Sequence, residues 1–203
     1  VKRRRTQMLI VLIFGLIVII PTVFFVYQKN HYSKDKSIAV IPFINDSPDS
    51  TNVYFINGLI ETITDKLSQI NDLKVTSRTS AERYRNNKTK SIPQIARELG
   101  VKYILEGSGQ KIGDSVLVSI QLIEARMDNH IISQQFTVKY ENVLTLYNEI
   151  ALDVASKIKA LITPEEKQLI RKTPTTNPVA YNLYQRGREQ SDNYLDSSPF
   201  DNA

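Results

Sequence analysis

The amino-terminal part of the chain holds one long apolar run, from Met8 to Val26. The run contains no charged residue, and fifteen of its nineteen residues are Leu, Ile, Val or Phe. At a rise of about 1.5 Å per residue it spans about 28 Å, close to the roughly 30 Å hydrocarbon core of a bilayer. A cleaved signal peptide is the alternative, but its apolar region is usually about 7 to 15 residues long and ends in a small-x-small site, which this run lacks. We expect residues 1–30 to form a basic tail and a single transmembrane helix.

Downstream of this run, apolar residues first follow a strand pattern and then a helical one. The short apolar segment from Ser37 to Phe43 precedes a turn-rich loop, which predicts a buried strand. From Val53 to Ile70, apolar residues recur every three or four positions, which predicts an amphipathic helix. Leu73–Ser77 predicts a second strand. Because a crossover helix joins neighbouring parallel strands, we expect these two strands to be parallel.

A polar segment separates the second strand from the next helix. Arg78–Lys90 is basic, and we interpret it as a solvated loop rather than a binding patch. Ser91 is suited to cap the helix that follows, Pro93 to its first turn and Gly100 to its end. This short helix therefore has signals at both ends.

Three consecutive strands are then predicted, at Val101–Ile112, Ser115–Ala125 and Ile131–Tyr140. Turns at Gly113-Asp114 and at residues 127–130 join them, which is the arrangement of an antiparallel meander. In the second of these strands, apolar residues alternate with a mixed set. One face of the sheet should therefore be better buried than the other.

Two helical patterns close the chain. Val143–Ile162 carries an apolar stripe long enough to cover one sheet face, and Val179–Glu189 is amphipathic. We interpret Thr163-Pro164 and Thr173–Pro178 as breaks between elements. The inward face predicted for the last helix consists of Ala180, Leu183, Tyr184 and Gly187.

These elements predict an α/β (α+β) fold after the single transmembrane helix. Residues 37–163 should form a mixed five-stranded sheet packed with helices, in the order β-α-β-α-β-β-β-α. Residues 174–203 should begin an α-helical repeat.

The charge pattern indicates topology rather than nucleic-acid binding. The chain has 26 Lys plus Arg and 21 Asp plus Glu, and residues 1–30 hold five of the cations and no anion. Residues 31–203 therefore carry 21 cations and 21 anions, a net charge of zero. A neutral domain does not attract phosphate backbones, so we expect no nucleic-acid binding by residues 31–203. The cations ahead of the apolar run predict a cytoplasmic amino terminus and place residues 30–203 on the other side of the membrane.

Composition leaves little room for catalysis. The chain has no cysteine, and its histidines are His31 and His130, which excludes disulfides, thiolate chemistry and a histidine-rich metal site. Gly107–Gly113 has the glycines of a phosphate loop without its spacing or its following helix. Ser108, Asp128 and His130 supply triad residue types, but no pattern indicates that they meet. We expect no catalytic residue, no metal, no cofactor and no enzymatic activity.

The carboxyl ends of the two parallel strands offer a candidate site. Loops that leave such ends lie at one edge of the sheet, where open α/β sheets tend to bind ligands. Asn45 and Ser47 follow the first strand, and Arg78 and Thr79 follow the second. These four residues are the predicted ligand or partner site. The alternative is that they cap helices and hold turns.

Several strings carry a family resemblance. The segments IAVIPFINDSPD, YFINGLIETITDKLSQINDLKVTSRTS, IARELGVKYILEGSGQKIGDSVLVSIQLIEA and NEIALDVASKI resemble the domain shared by TolB amino-terminal regions and FlgO-type proteins. The match covers about Ile38 to Ile162. It rests on a turn containing Pro42, Phe43, Asn45 and Ser47, on SRTS at 77–80 and on LEGS at 105–108. AYNLYQRGRE, at 180–189, resembles the first helix of a tetratricopeptide repeat array.

The resemblance implies a bacterial, non-catalytic interaction or sensory module. FlgO-type lipoproteins are anchored through an amino-terminal cysteine, and because this chain has none we expect the inner membrane. The first expectation is a membrane-anchored periplasmic scaffold whose tetratricopeptide-like repeats bind protein partners. The alternative is the periplasmic sensory half of a single-span transcriptional regulator, with a DNA-binding domain ahead of Val1. The identity of the partner and the oligomeric state stay open.

Overall fold

The computed structural model describes residues 36–47, 53–173, 175 and 177–196. The chain divides into two units, Val1–Asp35 and Lys36–Ala203, and all described residues belong to the second unit. Across the part of the chain that is described, no helix has the length and apolar character needed to span a bilayer. The anchor predicted at residues 8–26 lies outside the described residues.

In the described part of this unit, short strands mixed with helices come first, and a run of three longer strands and then a run of helices follow. The elements in chain order are β1 (Ser37–Val40), β2 (Ile44–Asn45), α1 (Val53–Ser68), β3 (Lys74–Val75), α2 (Arg78–Glu82), α3 (Ile92–Leu99), β4 (Tyr103–Ile112), β5 (Ser115–Glu124), β6 (Asn129–Lys139), a 3-10 turn (Tyr140–Asn142), α4 (Val143–Lys157), α5 (Pro164–Arg171) and α6 (Pro178–Asp196).

The described strands form one mixed sheet in the order β3-β1-β4-β5-β6. Strand β1 is parallel to β3 and to β4, and β4, β5 and β6 form an antiparallel meander. The predicted parallel pair and the predicted meander are therefore confirmed.

The predicted number of five strands is wrong, because the described residues form a sheet of six strands. The additional strand is β2, which pairs in parallel with β4 so that Ile44 lies beside Ser108 and Asn45 beside Gly109. A two-residue strand is too short to show a period, so pattern alone missed it.

The larger hydrophobic core lies between one face of the sheet and helices α1 and α4. Strand β5 contributes its alternate residues, all 0% exposed: Val116, Val118, Ile120 and Leu122. The helices contribute Leu59, Ile63, Ile150 and Val154, also 0% exposed. The other side chains of β5 are mostly half-buried, so the predicted one-sided burial is confirmed.

A smaller cluster covers only part of the opposite face. Its buried members are Ala39, Ile41, Tyr84, Ile95, Ala96, Val101, Ile104 and Ala125. They come from β1, the α2–α3 region and the ends of β4 and β5 that lie next to β1. The middle of β4 and β5 carries polar, half-buried side chains on this face. The incomplete cover is what creates the candidate site.

Two short helices lie where loops or breaks are predicted. Helix α2 occupies the start of the polar segment, and Ser77 caps it by accepting a hydrogen bond from Ser80 N at 3.3 Å. Helix α5 starts at the predicted break, where Thr163 and Glu166 form a reciprocal capping box with Pro164 in the first turn. Both starts had signals, but helices this short show little periodicity.

The last two long helices differ from prediction in extent and orientation. Helix α4 ends at Lys157 rather than Ile162. Lys159 adopts a positive φ of 60°, and a right-handed α-helix cannot continue through a residue with this backbone conformation. Helix α6 runs to Asp196. The inward face predicted for it is wrong: Leu183 and Tyr184 are 61% and 57% exposed, and Ala180 and Gly187 are exposed too. On the side of α6 that meets α1, Gln185 is buried, Tyr181 shares a hydrogen bond with Thr62 and packs against the main core, and Arg188 pairs with Glu61.

Candidate functional site

The partly covered face of the sheet holds a cavity of about 340 Å³, which we call the groove. Its floor is formed by four polar side chains of β4 and β5: Glu106, Ser108, Ser119 and Gln121. Its apolar lining comes from the β1–β2 segment and from α3: Ile41, Pro42, Ile44, Ile92 and Ile95. Tyr84, Asn86, Asn87 and Lys90 line it from α2–α3. Small-molecule sites commonly combine apolar walls with a few convergent polar groups in this way.

The register of the sheet brings the floor residues together. Glu106 lies directly across from Gln121, and Ser108 lies across from Ser119. Between these pairs, Gly107 faces the main core, where a Cβ atom would collide with the Ser119 carbonyl oxygen and approach the Phe43 ring to 2.9 Å. Glycine at this position keeps the two strands and Phe43 closely packed beneath the floor.

Glu106 supplies the negative charge of the groove. Burial is the main cause that raises the pKa of its carboxyl group; nearby Asp128 also raises the pKa, and His130 lowers it. Within the described residues, the structure shows no ion pair to this carboxylate. Glu106 is thus half-buried, and no cation among the described residues is paired with it.

The cation that lines the groove is already paired. Lys90 Nζ donates to Glu98 Oε2 at 2.7 Å, and the hydroxyl of Tyr84 donates to the same oxygen at 2.7 Å. The bond from Lys90, followed by the bond from Tyr84, lowers the pKa of Glu98. Lys90 Nζ also lies 5.6 Å from the centroid of the Tyr84 ring. The positive charge of Lys90 is therefore paired with Glu98, away from the floor of the groove.

Two of the four predicted site residues hold the end of β2. Asn45 Oδ1 accepts a hydrogen bond from Ser47 N at 3.0 Å, and Ser47 Oγ accepts one from Lys111 N at 3.3 Å. These bonds close the turn and attach it to β4.

The other two predicted residues lie on the first turn of α2. Arg78 Nη1 is 3.4 Å from Glu61 Oε2 on α1, and Thr79 is exposed. The pair Asn45 and Ser47 contacts β4, whereas Arg78 contacts α1. All these contacts are of the kind expected from turn-holding and capping residues, and ligand binding by the four stays a prediction.

Glu61 also ties α6 to the α/β domain. Its side chain is paired with Arg78 and with Arg188 of α6, and we call these three residues the Glu61 clamp. Burial is the main cause that raises the pKa of Glu61; Arg188 and Arg78 lower the pKa, and nearby Asp65 raises it. Beside the clamp, Thr62 and Tyr181 share a hydrogen bond, and Gln185 Nε2 donates to the Tyr181 hydroxyl at 2.6 Å.

The groove residues were missed at the level of sequence, although part of the signal was present. Ser119 and Gln121 belong to the set that alternates with the core residues of β5, and Glu106 and Ser108 alternate in the same way on β4. Which helices wall this face is decided by packing, and no spacing in the chain encodes it. As for metals, the described residues contain no cluster of three or more acidic or histidine side chains placed to hold an ion.

The chain matches the model of a known protein family. Residues 34–153 match the model of a family described as HilA/YgeH-like transcriptional regulator, second domain. The matched range extends from just before β1 into α4, and it makes up more than half of the chain.

One curated relative carries a different kind of name. A protein from Rhizobium meliloti (strain 1021), named as candidate adenylate cyclase 3, is 31% identical to this chain over 153 residues. The alignment covers 75% of this chain and 26% of the relative. The chain thus spans about a quarter of the length of this relative.

Solved structures with a similar fold include three bacterial proteins. Lipoprotein GNA1162 from Neisseria meningitidis has a TM-score of 0.44 at 18% identity, covering 57% of this chain and 96% of that one. TolB from Acinetobacter baumannii has a TM-score of 0.45 at 17% identity, covering 62% and 28%. The LpoB C-terminal domain from Escherichia coli has a TM-score of 0.40 at 18% identity, covering 51% and 82%. These similarities concern the fold alone.

Proposed function

Because the chain belongs to the HilA/YgeH-like transcriptional regulators, we propose that residues 37–163 are the sensory domain of such a regulator. The observation that carries this proposal is the family match, which spans nearly all of the described α/β fold and is to a second domain. In this proposal the domain binds a ligand or partner without catalysing a reaction. A DNA-binding domain ahead of Val1 provides the output.

The charge of the domain supports this division of labour. Residues 31–203 have a net charge of zero, from 21 cations and 21 anions. Proteins that neutralise DNA phosphates use clustered lysine and arginine. The contact with DNA therefore belongs to another part of the regulator.

The relative named as an adenylate cyclase supports a regulatory role from another direction. Its shared segment is about a quarter of its length, and its name refers to a different output. A module that occurs in proteins of different outputs is expected to sense or to position rather than to perform the output. We therefore place the activity of each such protein outside the shared segment.

In the proposed topology, Met8–Val26 spans the bacterial inner membrane and the sensory domain is periplasmic. Alkaline phosphatase fused after Asp35 should be active, and β-galactosidase fused at the same position should be inactive. The reverse pattern would place the domain in the cytoplasm.

The regulator proposal is tested with the full-length protein in its own cells. Chromatin immunoprecipitation of the tagged protein should enrich discrete promoter regions. Residues 1–203 expressed alone should enrich none, which serves as the matched control. If the complete reading frame encodes no DNA-binding segment, or if the full-length protein enriches no DNA, the proposal is wrong.

A scaffold function is the second candidate, and the exposed face of α6 favours it. Val179, Leu183 and Tyr184 are 58%, 61% and 57% exposed, and repeat helices bury such faces against neighbouring helices or partners. A photo-crosslinking residue at Leu183 should then trap one defined protein in living cells, whereas the same residue at exposed Gln190 should not. Equal labelling from both positions would contradict a specific surface.

A further inference from the structure

We infer that the groove binds a small, hydroxyl-bearing primary amine, with the Glu106 carboxylate paired to the ligand's ammonium group. The inference rests on the proposed sensory function, for which it names a class of ligand. The charge, the hydrogen-bonding groups and the size of the groove all favour this class.

Two of the described side chains that line the cavity are charged, Lys90 and Glu106, and they differ in their pairing. Lys90 is paired with Glu98 at 2.7 Å, whereas among the described residues Glu106 has no ion-pair partner. The nearby His130 lowers the pKa of the Glu106 carboxyl group, but within the described residues the two side chains form no ion pair. The groove is therefore complementary to a cation.

The charged form of Glu106 also lowers the stability of the folded domain. Burial of the carboxylate raises its pKa, which means that the folded domain disfavours the charged form. A half-buried charge that no packing requires is typical of a binding residue, since functional sites trade stability for function. An ammonium group in the cavity would provide the pairing that the domain itself does not.

The neighbouring floor groups have unused hydrogen-bonding capacity. Ser119 Oγ accepts a long bond of 3.5 Å from Gln135, and for Ser108 and Gln121 no side-chain hydrogen bond occurs within the described part of the chain. A hydroxyl and a carboxamide each donate and accept. Hydroxyl groups on the ligand match this set, and the apolar lining from Ile41, Ile92 and Ile95 suits a short carbon skeleton.

The size of the cavity limits the ligand to a small molecule. Its volume of about 340 Å³ lies near the lower end of the range of roughly 300 to 1,000 Å³ for ligand sites. A monosaccharide-sized amine fits this volume, whereas a folded partner does not enter it.

The test uses three amines, each with a neutral counterpart of nearly the same shape. The pairs are ethanolamine with ethylene glycol, serinol with glycerol, and glucosamine with glucose. The whole chain, in mild detergent near pH 7, carries labelled isoleucine δ1-methyl groups. Ile41, Ile44, Ile92 and Ile95 report on the groove, and core isoleucines such as Ile63 and Ile150 serve as internal controls.

At least one amine should shift the groove methyl signals and leave the core signals unchanged. Its affinity should exceed that of its neutral counterpart by about tenfold or more. The isosteric Glu106→Gln variant should abolish this preference, whereas Glu149→Gln, at an exposed carboxylate of α4, should keep it. Because Glu106→Gln removes only a charge, unchanged core methyl signals will show that the variant is folded.

A second variant tests the hydroxyl contacts. Gln121→Leu should weaken the binding of serinol and glucosamine more than the binding of ethanolamine, which has a single hydroxyl group. Binding of no amine, equal binding of amines and neutral counterparts, or binding that Glu106→Gln leaves unchanged would each overturn the inference. The two proposals fail separately: amine binding without promoter enrichment contradicts the regulator, and enrichment without amine binding contradicts only the ligand.

Discussion

Gly107 lies where two strands and an aromatic ring meet. A methyl group there would collide with the backbone carbonyl of Ser119 and approach the Phe43 ring to 2.9 Å. At Gly109, two residues further along β4, the added methyl group would meet the end of the flexible Ile56 side chain. A backbone carbonyl in a central strand pair moves less easily than a terminal methyl group.

We therefore predict that Gly107→Ala lowers the free energy of unfolding by about 2 kcal/mol or more, and Gly109→Ala by less than half as much. Urea denaturation of both variants, followed by circular dichroism, measures the difference. Equal decreases in the free energy of unfolding would mean that the backbone at Ser119 moves aside as easily as the Ile56 side chain.

Two of the three motifs that carry the TolB-type resemblance, the turn after β1 and LEGS, meet in the fold. Phe43 packs on Gly107, Asn45 pairs with Gly109, and Ser47 accepts a hydrogen bond from Lys111 N. The turn motif and the LEGS motif are far apart in sequence, but together they specify the β2–β4 pairing. This explains their types and order without assigning them a ligand.

At the scale of elements, α5 is docked by two buried charged side chains. Lys66 Nζ donates to the carbonyls of Ile170 at 2.7 Å and Lys172 at 3.2 Å, at the carboxyl-terminal end of α5. At the other end, Glu166 Oε1 accepts hydrogen bonds from Asn71 N at 3.0 Å and Asn71 Nδ2 at 2.8 Å. The cation lies at the negative end of the helix dipole, and the anion at the positive end.

Glu166 makes this docking dependent on pH. The hydrogen bond from Asn71 N, followed by that from Thr163 N, holds the pKa of Glu166 below its usual 4.5. A lowered pKa means that the ionised form stabilises the fold. The stabilisation is complete above the unfolded-state value and is lost as the pH falls through the lowered one.

The urea midpoint of Glu166→Gln should accordingly lie below that of the unsubstituted chain near neutral pH. The gap should narrow as the pH falls below 4.5 and through the lowered pKa of Glu166, because the wild-type carboxylate then protonates. Glu165→Gln, at an exposed residue of the same turn, should show a small gap with no such trend. A gap for Glu166→Gln that persists unchanged at low pH would rule out the ionised carboxylate as its cause.

At the scale of the whole molecule, α6 joins the domain through polar contacts. The Glu61 clamp and the bonds around Tyr181 connect it to α1, while its apolar residues Leu183 and Tyr184 face outward. Burial disfavours the ionised form of Glu61 and offsets much of the electrostatic attraction from its two arginines. We therefore expect the attachment of α6 to be weak and specific.

Arg188→Gln should therefore release α6 while the sheet stays folded. In hydrogen exchange, amides of α6 should exchange at least tenfold faster, and amides of β5 should keep their rates. Arg126→Gln, at an exposed arginine of the β5–β6 turn, is the matched control and should change neither. Faster exchange of β5 in Arg188→Gln would show that α6 belongs to the cooperative core.

Family membership changes the balance between the two functions expected from the sequence. The scaffold was the first expectation and the regulator the alternative, and the match to a transcriptional-regulator domain favours the alternative. The transmembrane anchor and the repeat start stay predictions. The four residues predicted at the strand ends are held in turns and packing contacts, so the groove is now the stronger candidate for sensing.

Periodicity by itself determined the order of the main elements, the meander and the better-buried face of β5, because these depend on side chains close together in sequence. The crossover rule added the parallel pair. Periodicity did not reveal β2, α2 or α5, which are too short for a period to emerge. Nor did it orient α6, since both faces of that helix have apolar residues and only the contacts with α1 select between them. The groove likewise exists because α2 and α3 cover one end of a sheet face and leave Glu106 and Gln121 beyond their edge. How much of the sheet face the packed helices cover depends on their positions relative to the strands, and only the tertiary structure determines those positions.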